Sequence, residues 1–202
     1  VLFSVFFIPF QAVRHLLPVL PALIILLFKF FENTGGVTDR LRHSLAGVLV
    51  IQAFLGVMVQ IADYEYADSY RDFSVQAKGE LAREPGTIWY IGHWGWKFYA
   101  DREGFRQLHR DGPDPEAGDL LLWPRKVHIG DVFDNDRGLR DRMKLVKAFP
   151  EKGVIPLRTQ SMDSKAGFYA TMRARLPFRF EPTELLEDFH IYRIVEGNGE
   201  GK

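Results

Sequence analysis

Two long apolar runs in the first third of the chain, Leu16–Phe31 and Leu45–Ala62, constrain the fold more than any other feature. A helix needs about 20 residues to cross a hydrocarbon core of roughly 30 Å. The first run reaches that length when Arg14 and Lys29 extend their charged heads to the two interfaces. Pro18 and Pro21 fall in its opening turns, where a missing N–H costs little. Val1–Phe10 reads as the end of a further span, set off by the polar stretch Gln11–His15. The expectation is therefore two full spans plus the end of a third, in the C-terminal piece of a longer protein. A helical hairpin inside a soluble core is the alternative.

The loop between the runs carries Lys29, Arg40 and Arg42 against Glu32 and Asp39, so the positive-inside rule makes it cytoplasmic. Arg14 and everything after Ala62 then lie outside. Gly47, Ala53 and Gly56 offer small surfaces for a neighbouring helix, and Gln52 is expected to face protein because its amide is costly against lipid.

The remainder has the mixed composition of a soluble domain. Hydrophobic residues make up 47% of the 202, but they are concentrated before Asp63. A net charge of +0 excludes a general nucleic-acid-binding role, and the lack of cysteine excludes disulfides and thiolate metal sites. Tyr66, Tyr70, Phe73, Ala77 and Leu81 recur at helical spacing and predict an amphipathic helix that ends before Pro85-Gly86. Thr87–Ile91 reads as a strand, Gly92–Gly95 as a turn, and Trp96–Glu103 as a helix stopped by Gly104. Further strands are expected over Phe105–Leu108, Asp119–Trp123, Leu145–Phe149, Val154–Arg158 and Phe189–Ile194, and a charged helical turn over Arg137–Arg142. The whole is a membrane α-helical segment (1–62), an amphipathic connecting helix (63–86), a small extracytoplasmic α/β domain (87–196) and a frayed tail (197–202).

The candidates for chemistry are few. His93, at a strand-to-helix turn, suits an acid, a base or a ligand, but it also suits a residue that only orients the turn. Trp94 and Trp96 suit sugar stacking or a lipid interface, and equally plain packing. Asp131, Asp134 and Asp136 are the densest carboxylate cluster, without the spacing of a calcium loop. Arg14, at the outer end of a span, is placed either to meet a lipid phosphate or to serve as an interfacial anchor. There is no phosphate-cradling loop, no His-Glu-x-x-His and no Gly-x-Ser-x-Gly, so no catalytic residue, metal or cofactor is assigned.

The run Arg14-His15-Leu16-Leu17-Pro18-Val19-Leu20-Pro21-Ala22 resembles the Arg-Tyr-Leu-Leu-Pro-x-x-Pro-Ala segment of bacterial membrane glycosyltransferases of the protein O-mannosyltransferase and aminoarabinose transferase type. Gly92-His93-Trp94-Gly95-Trp96-Lys97-Phe98-Tyr99-Ala100, and Ala166–Tyr169 followed by Leu176-Pro177-Phe178, are similar to later segments of such proteins. The resemblance implies an integral enzyme of the inner membrane that moves a sugar from a polyprenyl-phosphate-linked donor to a lipid or glycan acceptor. It implies donor or acceptor contacts at Arg14, His93, Trp94 and Trp96. The essential acidic loop lies near such enzymes' N-terminus, outside this chain, so the chain alone is expected to be inactive. His15 departs from the family's Tyr. The competing class is a non-enzymatic membrane-anchored domain that binds glycan or protein.

Overall fold

A computed structural model describes residues 20–33, 38–109, 111–126, 138–161, 166–167 and 178–197. Within them the chain forms two compact units, 1–63 with 155–182 and 64–154 with 183–202.

The first unit contains helix α1 (Leu20–Asn33) and the opening half of helix α2 (Asp39–Leu81). Thr38 starts α2, its hydroxyl accepting from the Leu41 N–H at 3.3 Å. Among the described residues, α2 is the single helix long and apolar enough to cross a membrane, and only 6% of its most apolar stretch is buried. A core helix of a soluble protein is mostly buried, so this exposure disfavours the soluble-hairpin alternative. α1 has 14 residues; the start of the expected span Leu16–Phe31, and all of Val1–Phe10, lie outside the described residues. Gln52 is exposed, and a Cβ added at Gly47 or Gly56 meets nothing within 4 Å, so the expected helix partner is not among the described residues. Near the end of the apolar stretch, Met58, Val59 and Ala62 pack with Ile155, Leu157 and Phe178. Leu157 lies in, and Phe178 just precedes, a two-stranded ladder of β5 (Leu157–Arg158) and β8 (Arg179–Phe180). A second short ladder joins β6 (Gln160–Ser161) to β7 (Ala166–Gly167).

The connecting helix is not a separate element: α2 runs unbroken through Asp63 to Leu81. At 1.5 Å per residue its 43 residues extend about 65 Å, roughly twice what a bilayer core requires. The surplus serves the second unit. Tyr66, Tyr70, Phe73, Ala77 and Leu81 are all buried against one face of a five-stranded sheet, as their spacing predicts.

That sheet has the order β2-β1-β3-β9-β4. β1 (Ile88–Tyr90) is parallel to both β2 (Arg106–Gln107) and β3 (Leu120–Pro124), while β9 (Glu187–Ile194) is antiparallel to β3 and to β4 (Met143–Glu151). Helix α3 (Trp94–Arg102) joins β1 to β2, and a 3-10 turn over Arg140–Arg142 precedes β4. Alternation along the strands sorts the two faces. Tyr90, Leu120, Leu122, Phe189 and Ile191 meet α2 and α3; Trp89, Ile91, Leu121 and Ile194 face the other way with Leu108 and Leu139. On the helix side the Phe73 ring stacks on Phe189 at 4.1 Å and 11°, with Trp96 5.7 Å away. Such pairs add about 0.5–1.5 kcal/mol beyond the area they bury.

Asp119 ties the amino ends of β1 and β3 together. One carboxylate oxygen accepts from Thr87 N–H at 2.8 Å, the other from Trp89 Nε1 at 2.7 Å and Glu116 N–H at 3.0 Å. The residue is buried, so truncation leaves three donors without a partner. Asp119→Ala is expected to cost about 3 kcal/mol, read as a lowered unfolding midpoint of the full chain in detergent. A loss under about 0.5 kcal/mol means that solvent replaces all three bonds and Asp119 ties nothing.

Candidate functional site

The carboxyl ends of β1 and β3 lie side by side. After β1 the chain enters α3, whose Trp96 and Ala100 are buried on the α2 side. In open α/β sheets ligands bind outside the carboxyl ends of the parallel strands, at the mouth between them. His93 and Trp94 follow β1 at this mouth; Arg125 and Lys126 follow β3.

The turn after β1 is built around Trp96. Its indole is wholly buried, touching Tyr70, Phe73, Tyr90 and Phe189, and its Nε1 donates to Ile91 O at 2.9 Å. Gly92 adopts φ 128°, and a Cβ there would stand 2.7 Å from Trp96 Cδ1, so the indole fits only because position 92 has no side chain. Trp96 thus has no face to offer a sugar, which corrects the expectation that it binds substrate. His93 is the extended N-cap of α3, exposed and without a side-chain capping bond. Trp94 is 59% exposed and holds φ 54°, the one positive φ outside glycine among the described residues. A bulky side chain in that conformation is strained by about 1–2 kcal/mol. One turn on, Phe98 is also exposed.

Charge is arranged beneath the turn. Tyr90 donates to Asp101 Oδ1 at 2.5 Å, and Lys97 Nζ reaches Asp101 Oδ2 at 2.7 Å. Burial works against the Asp101 carboxylate, but the Lys97 and Tyr90 bonds together hold it below the usual range. Burial, then Asp101, pushes the Tyr90 phenol up.

Glu187 opens β9 on the α2 side and is wholly buried. One oxygen accepts from Lys126 N–H at 2.7 Å and Asp188 N–H at 2.9 Å; the other faces the Tyr70 hydroxyl at 3.2 Å and Tyr66 at 3.4 Å. The two phenols also bond each other. Burial raises the Glu187 carboxyl to about 7 despite those donors, and burial likewise pushes Tyr70 well up.

On the opposite face of the same strand, Asp188, His190 and Tyr192 form a row. His190 Nε2 lies 2.8 Å from Asp188 Oδ2, and Nδ1 lies 2.9 Å from Tyr192 Oη. Trp123 of β3 pairs with His190 across the ladder, and the Arg125 guanidinium sits 4.4 Å from the Trp123 ring centroid. Burial raises the Tyr192 phenol, with Arg125 opposing.

Of the sequence candidates, the structure brings His93 and Trp94 together at the surface and places Trp96 below them. Arg14, Asp131, Asp134 and Asp136 lie outside the described residues. No group of three His, Asp or Glu side chains suited to a metal occurs among the described residues. The β9 row escaped the sequence reading, although its signal was present: Asp188, His190 and Tyr192 alternate with the apolar Phe189 and Ile191. The same parity marks Glu187 as inward-facing. No family model, curated protein or solved structure matches the chain.

Two outcomes follow. Trp96→Ala is expected to destabilise by about 3–5 kcal/mol, whereas Trp94→Gly is expected to leave the unfolding midpoint unchanged or raise it, because the strain is relieved. A large loss in Trp94→Gly would mean that the exposed indole packs. Glu187 prefers its proton in the folded state, so its contribution is fully present below about pH 4.5 and is lost as pH rises through about 7. The integrated change is about 3 kcal/mol. Glu187→Gln is expected to flatten this slope in urea unfolding between pH 5 and 8; a slope equal to wild type would assign it to other groups.

Proposed function

We propose that the chain is the membrane and outer-domain part of an integral glycosyltransferase of the inner membrane, acting on a polyprenyl-phosphate-linked sugar and a lipid or glycan acceptor. The observation that supports it most is the unbroken α2: a helix fit to cross a bilayer runs on as the core helix of a domain whose β1–α3 turn carries the resembling residues 92–100. By chain length alone, Tyr66 follows the apolar stretch by only four residues, so the buried Tyr66–Tyr70–Glu187 cluster belongs close to the membrane surface. In this reading Leu16–Phe31 is a second span and Val1–Phe10 the end of a third, with the soluble domain outside. Arg14 meets the donor phosphate, and His93 with Trp94 lines the acceptor side. Trp96 only holds the turn. The sugar-transfer base is assigned to no residue of this chain.

The runner-up is a membrane-anchored module that binds glycan or protein without chemistry. It is favoured by the exposure of Trp94 and Phe98 one helical turn apart on α3, at 59% and 62%.

Deletion of the gene, followed by mass spectrometry of extracted polyprenyl-phosphate lipids, separates the two. The transferase reading expects one lipid-linked sugar to accumulate and to fall again on complementation with wild type but not with Arg14→Ala. An unchanged lipid pool in the deletion strain would remove the transferase reading.

A further inference from the structure

We infer that Asp188, His190 and Tyr192 form a proton relay that makes the Tyr192 oxygen a general base toward a hydroxyl-bearing substrate. The row lies on the sheet face opposite α2 and α3, and the inference is independent of any sugar transfer.

The direction of the hydrogen bonds follows from the groups themselves. A carboxylate only accepts, so the His190 nitrogen facing Asp188, Nε2 at 2.8 Å, carries the ring proton. In a neutral imidazole the other nitrogen is then an acceptor, and the Tyr192 O–H donates to Nδ1 at 2.9 Å. Carboxylate, imidazole and hydroxyl thus stand in the order that activates a side-chain oxygen in nucleophilic hydrolases, here with a phenol at the end. Period 2 along β9 places all three on one face, and the strand is held on both sides by β3 and β4. The residues paired with the row on neighbouring strands are Trp123 and Leu121 of β3 and Pro150, Ala148 and Leu145 of β4, none of them titratable. Arg125, just past β3, is a charge near the row among the described residues: its N–H donates to Asp188 O, and its guanidinium acts electrostatically on Tyr192. The side chains of Asp188 and His190 keep 25% and 16% exposure, so the row is shielded without being sealed.

The step balances without a co-reactant. The substrate O–H breaks as its proton passes to Tyr192 Oη, the Tyr192 proton passes to His190 Nδ1, and Asp188 holds the imidazolium. The substrate oxygen keeps the electron pair with which it attacks an electrophilic carbon or phosphorus. Arg125 favours a substrate that carries an anionic group beside that hydroxyl.

An electrophile reads the same lone pair. The full chain in detergent is treated with p-nitrophenyl acetate and mapped by mass spectrometry; the acetyl group moves to Tyr192 Oη, nitrophenolate leaves and the proton ends on His190. Tyr192 is expected to acetylate faster than the exposed Tyr64 and roughly a hundredfold faster than in His190→Asn, whose side-chain oxygen still accepts from Tyr192 but takes no proton. Equal rates in wild type and a folded His190→Asn, or no preference over Tyr64, would overturn the relay. If His190→Asn does not fold, nitrogen NMR of wild type decides: a proton on Nε2 with Nδ1 accepting is expected, and the reverse tautomer overturns it.

Discussion

One helix with two unlike halves organises this protein. From Leu45 to Ile61, with Gln52 and Gln60 as the polar exceptions, α2 is apolar around its circumference and mostly exposed, while its last part narrows to a single stripe running from Tyr66 to Leu81. The helix runs on unbroken between them, and the polar residues Asp63 and Glu65 mark where the pattern changes. A helix in lipid satisfies its own backbone, and a helix on a sheet needs one apolar face. The sequence of α2 meets both demands in series. Within the second unit, the helix-side core packs on that stripe.

The two faces of the sheet carry different chemistry for a physical reason. On the helix side, large rings close the space around one buried carboxyl, Glu187, offset by two phenols and two main-chain donors, while Lys97, Asp101, Lys147 and Arg193 keep their charges at the margin. On the other side the row Asp188, His190, Tyr192 meets Trp123 and Arg125, and the side chains stay partly exposed. A single strand therefore presents a sealed acid to one face and a partly solvated triad to the other. Strand periodicity alone achieves that separation.

Much of this was legible beforehand. The spacing of Tyr66, Tyr70, Phe73, Ala77 and Leu81 marked the buried stripe, because helical periodicity survives whatever the partner is. β1, β3 and β9 were found within a residue or two, since β-formers bounded by glycine and proline leave few alternatives. The merging of connecting helix and span was not legible, because no residue at the junction signals either a stop or its absence. Nor could Trp94 be told from Trp96: which of two tryptophans turns inward depends on the φ of 54° at Trp94, a conformation no propensity assigns to that residue. Leu145–Phe149 read as a strand, yet its partner is β9, some forty residues downstream, and pairing at that distance leaves no local trace.

The position of β9 has a consequence for how the domain is made. It is the last strand of the sheet to leave the ribosome, yet it lies between β3 and β4 rather than at an edge. Until it arrives, β3 and β4 each expose a row of unpaired amides, and the aromatic layer of α2 lacks Phe189 to close against. The β1–α3–β2 segment assembles from near neighbours; the rest of the sheet waits. A nascent chain of this protein is thus a half-sheet with open edges, the kind of species on which chaperones act and which aggregates when synthesis stops short.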